Sequence, residues 1–381
     1  MITVARSDYG IYLPILRRIK ADPQLRLWLI VTGAHLLPEF GLTVKEIEAE
    51  FEIHERVQML LAADSPEAVA KSMGLGLVGF AQSFARVRPD ILLVLGDRFE
   101  MHAAALAALP FKIPTAHLHG GELSLGAIDD ALRHSLTKLS HLHFVSTETY
   151  ARRVRQMGEE SWRVVVCGAP ALDQIRELSS LNLSEFNEKI DVRLEEGFLL
   201  ITFHPVTLEH EKTDQQITEL LAALEMSGRP ALFTAANADT SGRFINTKIA
   251  KYCRTHPNAH LSLSLGRDGY FSAMRLAAAM AGNSSSGIIE AASFELPVVN
   301  IGVRQGGRLR GNNVIDAGPD RYEILAAIER ATSAEFRLGL KGMQNPYYHG
   351  GASEVIVTRL KEIEINERLS LKRFHDLIPS A

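Results

Sequence analysis

Short apolar segments alternate with helical stretches along most of the chain, and this alternation limits the fold more than any other feature. In the first half, apolar segments without polar alternation lie at 25–33, 91–97, 114–121, 141–147 and 163–168. Helical patterns lie between them, as at 66–87 and 126–139. Apolar strands without alternation are buried on both faces, and strands that alternate with helices form parallel sheets. The sequence therefore predicts an α/β fold with helices on both sides of a parallel sheet.

The pattern stops at the polar segment 178–197 and then restarts. The second series of apolar segments lies at 198–205, 230–237, 259–265, 276–283 and 297–302. We therefore expect two similar halves, each with its own sheet. The predicted domains are an N-terminal Rossmann-like domain at 1–170, joined by a C-terminal helix at about 360–381, and a second Rossmann-like domain at 171–359.

Charge and cysteine content exclude several classes of protein. The chain carries 41 basic and 45 acidic residues, a net charge of −4, so it has no strong positive field for nucleic acid or an anionic membrane. No apolar run has the length of a membrane span, and the first residues lack the pattern of a signal peptide. Cys167 and Cys253 are too few for a disulfide framework. We expect a cytoplasmic enzyme.

Polar residues follow the predicted strands in both halves. In open α/β sheets, ligands bind at the carboxyl ends of the strands. The residues at these positions are Arg6–Gly10, Asp97–Arg98, His119–Glu122, His204 and Asn283–Ser286. Their clustering predicts a functional site at the strand ends.

The segment 282–292 follows a strand and opens a helix. Free backbone N–H groups and the hydroxyls of Ser284, Ser285 and Ser286 could hold a phosphate, while Glu290 could accept hydrogen bonds from a ribose diol. Serines that only cap the helix are an equally good interpretation. The following segment 304–310 contains three arginines that favour the phosphate interpretation.

The segment 117–134 concentrates carboxylates and histidines around a glycine pair. Asp129–Arg133 and Asp130–His134 are spaced for ion pairs on one helix face, which could be purely structural. Carboxylates gathered in a cleft raise one another's pKa, which suits acid–base catalysis. The spacing of His117 and His119, repeated by His141 and His143, could begin a metal site, but hydrogen-bonded strand-end histidines are the more common case.

These residues together resemble the UDP-N-acetylglucosamine 2-epimerase family, specifically its hydrolysing branch from bacterial sialic-acid and legionaminic-acid pathways. The matching strings are RSDYG (6–10), LGDRFE (95–100), HLHGGE (117–122), GAIDDALRHSLTKLSHLHF (126–144), TFHPVT (202–207), GNSSSGIIE (282–290), GVRQGGRLRGNNVI (302–315) and NPYYHGGAS (345–353). The resemblance implies a GT-B fold, in which two Rossmann-like domains flank a cleft and the second holds most of the UDP. It also implies a homodimer or homotetramer, a UDP-sugar substrate and no metal or other cofactor.

The reaction implied by the resemblance begins with removal of the C2 proton of the sugar while UDP leaves C1. Water then adds to the resulting 2-acetamidoglycal, and free N-acetylmannosamine and UDP are released. By match to the family, the predicted catalytic residues are Asp97, Glu122, Asp129 and His204. The predicted substrate- and UDP-binding residues are Arg6, His119, Arg133, Ser284, Ser285, Glu290 and Arg304.

The chain departs from the family pattern at two places. Many relatives have a catalytic glutamate where this chain has His119, so either Glu122 or His119 takes its role, and we expect Glu122 to do so. Only Ile2–Ala5 precede Arg6, which predicts a weakened first strand and a start downstream of the natural one.

Several functions remain open from the sequence. The first is hydrolytic 2-epimerisation of UDP-N-acetylglucosamine, and the second is the same chemistry on UDP-2,4-diacetamido-2,4,6-trideoxyglucose. A non-hydrolysing epimerase, a GT-B glycosyltransferase and a UDP-sugar sensor without turnover are the other candidates. A transferase would share the UDP site but would not need the carboxylates of the first domain.

Overall fold

The chain forms two compact units. The computed structural model describes residues 1–61, 65–125, 128–177, 181–206, 211–236, 242–263 and 265–376. The first unit contains the described residues of Met1–Glu122, Ile128–Gln174 and Tyr347–Ala381, and the second those of Leu123–Ala127 and Ile175–Pro346. The chain thus leaves the first unit after Gln174 and returns at Tyr347, whereas the sequence placed these changes at residues 170 and 359. Tyr347 returns early because its hydroxyl hydrogen-bonds that of Tyr150 at 2.6 Å.

The strands are short and separated by helices. They are β1 (Ile2–Thr3), β2 (Ile30–Thr32), β3 (Glu55–Val57), β4 (Leu92–Leu95), β5 (Thr115–Leu118), β6 (Leu142–Val145), β7 (Val164–Val166), β8 (Leu199–Thr202), β9 (Ala231–Thr234), β10 (Ala259–Ser262), β11 (Ala279–Gly282), β12 (Val298–Ile301) and β13 (Val314–Ala317).

The helices connect these strands and cover the sheets. They are α1 (Arg6–Ala21), α2 (Val44–Glu48), α3 (Pro66–Arg86), α4 (Phe99–Ala108), α5 (Asp129–Leu139), α6 (Glu148–Gln156), α7 (Leu183–Ile190), α8 (Thr213–Ser227), α9 (Gly242–Thr255), α10 (Gly266–Leu276), α11 (Ser285–Ile289), α12 (Arg321–Thr332), α13 (Ala334–Gly339), α14 (Ala352–Glu362) and α15 (Glu367–Ser370). Short 3₁₀ helices lie at Gly33–Leu36, Pro38–Phe40, Leu109–Phe111, Ser161–Arg163, Pro170–Glu177 and Ala291–Phe294.

Each predicted apolar segment contains a strand, but the strands are shorter than the segments. The sequence missed β3 and β13, which are not fully buried and carry charged residues such as Glu55 and Asp316. The predicted helix at 126–139 begins at Asp129, and residues 126 and 127 lie outside the described part of the chain. The first strand, β1, pairs in parallel with β2 although it has only two residues.

All strand pairs within the described ranges are parallel, which confirms the predicted sheet type. In the first unit the hydrogen-bonded orders are β1-β2-β3 and β4-β5-β6-β7. In the second unit the order is β10-β9-β8-β11-β12-β13. Strands β8, β9 and β10 follow one another toward one edge of the sheet, and β11, β12 and β13 follow one another from β8 toward the other edge. This is the Rossmann strand order.

The second sheet is buried on both faces because neighbouring residues of one strand enter different cores. Leu199 and Ile201 of β8 pack with residues of α8 and α12, whereas Leu200 packs with residues of α7 and α10. Both positions must then be apolar, which explains the absence of polar alternation in the sequence. Burial of strands of this kind contributes most of the stability of such a domain.

The predicted C-terminal helix at 360–381 is wrong in its extent. The helix α14 ends at Glu362 because Ile363 adopts an extended conformation (φ −74°, ψ 121°). A separate helix, α15, starts after Asn366, whose side chain accepts a hydrogen bond from the N–H of Leu369 at 3.2 Å. Residues 377–381 lie outside the described part. The described segment from residue 347 does belong to the first unit.

Candidate active site

The predicted site residues lie at the carboxyl ends of strands in both units. In the first unit, Asp97 follows β4 and His119 follows β5, which are paired neighbours. In the second unit, His204 follows β8 and Asn283 follows β11, the two strands where the strand order reverses. Ligands of doubly wound sheets bind at this reversal, so the topology places His204 and Asn283 where a nucleotide is expected.

Arg133 connects the polar groups of the first unit. Its guanidinium is buried in α5 and forms an ion pair with Asp97 through Nη2. Its Nη1 donates to the carbonyl oxygen of His119 at 2.7 Å and lies 3.9 Å from Oε2 of Glu122. The structure thus brings Asp97, His119, Glu122 and Arg133 together, as a pair of carboxylates around one cation.

His119 and Glu122 form a direct pair. The Nδ1 atom of His119 lies 2.6 Å from Oε1 of Glu122, and the same oxygen accepts a hydrogen bond from the Ser146 hydroxyl at 3.1 Å. His119 and Glu122 are both buried, with 5% and 1% of their surface exposed. Ser146 follows β6 and was not predicted; its position directly after an apolar strand was the signal available.

The glycine pair between these residues is required by the loop. Gly121 has φ +76°, and a Cβ atom at this position would lie 2.6 Å from the carbonyl oxygen of Tyr150. Only glycine combines this backbone conformation with such close contact. The carbonyl of Gly121 also accepts a hydrogen bond from Arg153. The loop therefore turns tightly enough for Glu122 to reach back to the His119 ring.

Asp129 is the first residue of α5, one helical turn before Arg133. The predicted pair between Asp130 and His134 is present, with Oδ2 and Nε2 3.6 Å apart. Burial lowers the pKa of His134. This pair stabilises α5, as an i,i+4 pair on a helix face does.

Arg6 begins α1, separated from β1 by Val4 and Ala5, and the buried carboxylate of Asp8, which the sequence analysis included in Arg6–Gly10 without a role, follows it in the same helix. Asp8 accepts hydrogen bonds from the Thr3 hydroxyl at 2.7 Å and from the backbone N–H of Ala5 at 2.5 Å. Burial raises the pKa of Asp8 to about 6, although these hydrogen bonds and the charge of Arg98 oppose the rise. Asp8 thus fixes the turn that presents Arg6.

Arg98, the other charged residue at the end of β4, has a structural partner. Its Nε and Nη2 atoms donate to the two carboxylate oxygens of Glu100 at 3.1 and 3.0 Å. Glu100 is fully buried, so this bidentate pair compensates its charge. The pair holds Arg98 at the start of α4.

The predicted histidine pairs are hydrogen-bonded within the core of the first unit. His117 Nε2 lies 2.8 Å from the carbonyl oxygen of Gly96, and burial lowers the pKa of this histidine to about 3. His141 Nδ1 accepts from the N–H of Thr115 at 3.2 Å, and His143 Nε2 lies 2.9 Å from Glu159 Oε2. Among the described residues, no group of three or more His, Cys, Asp and Glu could hold a metal ion.

In the second unit, Asn283 fixes the backbone of His204. Asn283 Oδ1 accepts from the N–H of His204 at 2.7 Å, and its Nδ2 donates to the carbonyl of His204 at 2.8 Å. The preceding Gly282 has φ +139°, and a Cβ atom there would lie 2.0 Å from the carbonyl oxygen of Thr202. The two strand ends therefore approach closely only because Gly282 has no side chain.

The serine segment after Asn283 is a helix cap, as the alternative interpretation expected. The Ser284 hydroxyl accepts from the N–H of Ser286 at 3.3 Å, and Ser285 is the first residue of the short helix α11. Tyr270, which the sequence analysis missed, hydrogen-bonds with the side chains of Ser286, Thr202 and Ser284. Burial raises the pKa of this tyrosine.

Glu290 is the residue that follows α11, one helical turn after Ser286. Its backbone N–H donates to the carbonyl of Ser286 at 3.0 Å, and the residue is buried with 8% of its surface exposed. Its negative charge contributes to the raised pKa of Tyr270. The structure therefore brings Glu290 close to the same serines, as the sequence predicted.

The arginines of segment 304–310 have different partners. Arg304 Nη1 and the side-chain amide of Gln305 both donate to the carbonyl of Asn283, at 3.2 and 2.8 Å. Arg308 instead donates to the carbonyl of Leu123 at 2.8 Å, and Arg310 lies 3.0 Å from Asp316. Arg304 therefore lies beside the Asn283 loop, while Arg308 and Arg310 contact groups outside that loop.

No helix in the described ranges is both long enough and apolar enough to cross a membrane.

Comparison with known proteins identifies similar chains over the full length. The model of a family described as UDP-N-acetylglucosamine 2-epimerase matches residues 17–361. A GDP/UDP-N,N′-diacetylbacillosamine 2-epimerase (hydrolyzing) of Campylobacter jejuni is 42% identical over 380 residues, which cover 99% of this chain and 98% of the relative. A UDP-N,N′-diacetylbacillosamine 2-epimerase (hydrolyzing) of Legionella pneumophila is 37% identical, with 97% and 96% covered.

A solved structure has the same fold. The UDP-GlcNAc 2-epimerase of Neisseria meningitidis, bound to UDP-GlcNAc, superimposes with a TM-score of 0.81 at 18% identity, with 94% of this chain and 98% of that chain covered. This likeness confirms the predicted GT-B fold of two Rossmann-like domains.

Proposed function

The chain belongs to the UDP-N-acetylglucosamine 2-epimerase family and is a UDP-sugar 2-epimerase, and we propose that it acts hydrolytically on UDP-N,N′-diacetylbacillosamine. This substrate is the 2,4-diacetamido-2,4,6-trideoxy sugar considered above. The products would be UDP and the free 2-epimer of the sugar. The observation that carries the substrate assignment is the 42% identity over nearly the whole of both chains to the Campylobacter enzyme.

The geometry of the first unit fits the chemistry of this reaction. A base takes the C2 proton, the C2–H electron pair forms the C1=C2 double bond, and the C1–O electron pair leaves with UDP. Water then adds to C1 and a proton returns to C2. Asp97, Glu122 and His119, arranged around Arg133, together with Asp129 at the start of α5, would supply the proton-transfer groups.

The second unit supplies groups suited to UDP. We assign the pyrophosphate to His204, Ser284, Ser285 and Arg304. Asn283 hydrogen-bonds the backbone of His204, and its carbonyl oxygen accepts a hydrogen bond from Arg304. Glu290, one turn after these serines, would accept hydrogen bonds from the ribose hydroxyls. Arg6 is the further binding residue expected from the resemblance, and positive charge of this kind stabilises a departing pyrophosphate.

The test is proton NMR of the purified protein in D₂O, with UDP-N,N′-diacetylbacillosamine and UDP-N-acetylglucosamine supplied in separate reactions. We expect UDP together with a free manno-configured sugar that carries deuterium at C2, and a higher kcat/KM for the diacetamido substrate. A free gluco-configured sugar with its C2 proton intact would mean plain hydrolysis. A UDP-linked manno sugar would mean a non-hydrolysing epimerase, and either result would overturn the proposal.

UDP-N-acetylglucosamine is the second candidate substrate because the family model carries its name and matches most of the chain. A higher kcat/KM for this substrate would support it over the diacetamido sugar. We expect EDTA to leave the rate unchanged with either substrate. Loss of activity that a divalent ion restores would contradict this expectation.

A further inference from the structure

We propose that the imidazole of His119 removes the C2 proton of the sugar, and that Glu122 positions this imidazole rather than taking the proton itself. The inference rests on the proposed function and concerns the assignment of one of its steps. It reverses the roles expected from the sequence, where Glu122 was the catalytic residue and His119 a binding residue.

The first observation is the hydrogen bonding of the His119 ring. An ionised carboxylate can only accept hydrogen bonds, so the 2.6 Å contact between Nδ1 and Glu122 places the ring proton on Nδ1. The Nε2 atom of the neutral ring then carries the free electron pair. Glu122 is held in this role by Ser146, which donates to the same carboxylate oxygen, and by the guanidinium of Arg133.

The second observation is that Nε2 of His119 is buried and has no hydrogen-bond partner among the described residues. Leaving a buried polar atom unsatisfied costs roughly 1–3 kcal/mol, so it requires an explanation. A nitrogen that meets a substrate C–H group needs no resident partner. Arg133 contacts both the backbone carbonyl of His119 and the carboxylate of Asp97, so it holds a second candidate proton-transfer group near His119.

The third observation is the backbone of His119, which adopts the left-handed conformation with φ +61°. The other described non-glycine residues of this kind are Leu42, Lys112, Asp191 and Glu295; the last three end helices, and Leu42 lies in a loop. His119 instead ends a strand, where its N–H donates to Phe144 at 2.9 Å. Such conformations cost about 1–3 kcal/mol and are retained mainly at functional sites.

The chain contains a second histidine–carboxylate pair that serves as an internal comparison. His143 contacts Glu159 at 2.9 Å, is fully buried and likewise has a ring nitrogen, Nδ1, without a hydrogen-bond partner among the described residues, but it lies within β6. The carboxylate of Glu159 is shared with the ammonium groups of Lys138 and Lys372, at 2.6 and 2.9 Å. His143 therefore belongs to a structural ion cluster, and it provides a matched control for His119.

In the proposed step, Nε2 of His119 forms a bond to the C2 proton and becomes an imidazolium. The C2–H electron pair becomes the C1=C2 double bond, and UDP leaves with the C1–O electron pair. Glu122 stabilises the imidazolium charge through Nδ1. A second group returns a proton to the opposite face of C2 when water adds to C1, and Asp97 and Asp129 are the candidates for it.

The test uses two substitutions that the left-handed backbone accepts. His119→Asn keeps a side-chain N–H that can donate to Glu122 but cannot accept the proton, and asparagine tolerates this conformation. His119→Gly leaves space for added imidazole. We expect kcat to fall by roughly 10²–10⁴-fold in both variants, the contribution of a positioned base. Imidazole should restore turnover to His119→Gly only, with a rate that rises with the basicity of substituted imidazoles.

The controls separate loss of the base from loss of the fold. UDP binding, measured by calorimetry, should stay within about threefold of the wild type in both variants, since UDP contacts are assigned to other residues. His143→Asn should lower the thermal stability and leave kcat unchanged. If His119→Asn retains a kcat within about tenfold of the wild type, or if imidazole fails to restore His119→Gly that binds UDP normally, the proposal is wrong.

The positioning role of Glu122 is tested by a double-mutant cycle. If Glu122 acts only through His119, Glu122→Gln should lower kcat in the wild type but by less than about twofold in the His119→Asn background. If the fold losses in kcat of the two single variants instead multiply in the double variant, Glu122 transfers a proton independently. These outcomes require a wild-type enzyme that turns over one of the two UDP-sugars, so a failure of the proposed function would appear first, as an inactive wild type.

Discussion

Replacing Arg133 by methionine tests whether one guanidinium stabilises the charges of the first unit. The side chain is 3% exposed and lies against Asp97 and Glu122. At the 3.9 Å separation from Glu122, the attraction is about 4 kcal/mol for an effective dielectric constant of 20. Breaking a buried ion pair by removing one partner costs about 3–5 kcal/mol, because the other charge is left uncompensated. We therefore expect Arg133→Met to lower the free energy of unfolding of this unit by about 3–5 kcal/mol at pH 7.5.

The two tryptophans of the chain make this measurement specific to one unit. Trp28 and Trp162 both lie in the first unit, so urea unfolding followed by tryptophan fluorescence reports its stability. Arg133→Lys, which keeps the positive charge, should lower the free energy of unfolding by less than Arg133→Met.

A control in the second unit checks the assignment. Arg321 forms a 2.6 Å ion pair with Glu219 there, so Arg321→Met should leave the fluorescence transition in place. The reasoning would be refuted if Arg133→Met lowered the free energy of unfolding by less than about 1 kcal/mol at pH 7.5.

Three further predictions follow from buried contacts. The pKa of the Asp8 carboxyl is about 6 in the folded chain, against an ordinary value of 3.8. Asp8 therefore contributes its full amount to the free energy of unfolding below about pH 4, and this contribution is lost as the pH rises through 6. In urea unfolding followed by tryptophan fluorescence, Asp8→Asn should abolish this pH-dependent loss of about 3 kcal/mol in the free energy of unfolding. Asn283→Ala removes both hydrogen bonds that hold the backbone of His204 and should weaken UDP binding about tenfold in calorimetry, whereas unchanged affinity would contradict the assigned site. Glu159→Gln should destabilise the first unit by about 3 kcal/mol with kcat unchanged, because Lys372 loses its buried partner; equal stability would show that the pair is dispensable.

The sequence predicted the parts of the fold that depend on local pattern. Buried strands such as β4 and β8 were evident from unbroken apolar runs, because both of their faces enter a core. The short strand β3 was missed because its charged residues pair with partners distant in sequence: Glu55 accepts from Arg86 at 2.8 Å. The place where α14 ends was also missed, since no strong breaker residue marks it.

The candidate site was predicted in position but not in connectivity. Residues that follow strands could be listed from the sequence, because strand ends in parallel sheets converge at one edge. Asn283 stood on that list without an assigned role, because its action on His204 spans two strands that are not adjacent in sequence. Tyr270 lies within α10 and carries no strand-end signal, so only the folded chain shows its contacts with the serines.

If relatives carry a glutamate at position 119, as the resemblance implies, the string HLHGGE represents relocation of that carboxylate and not its loss. A glutamate at position 119 would present its carboxylate directly from the strand end. In this chain, Gly120 and Gly121 let the loop turn so that the carboxylate of Glu122 returns to within 2.6 Å of the residue 119 side chain. The negative charge therefore stays near the side chain of residue 119, and the His119 imidazole lies between the Glu122 carboxylate and the proposed position of the substrate. A carboxylate that acts through an imidazole fixes the tautomer of the ring and stabilises its protonated form.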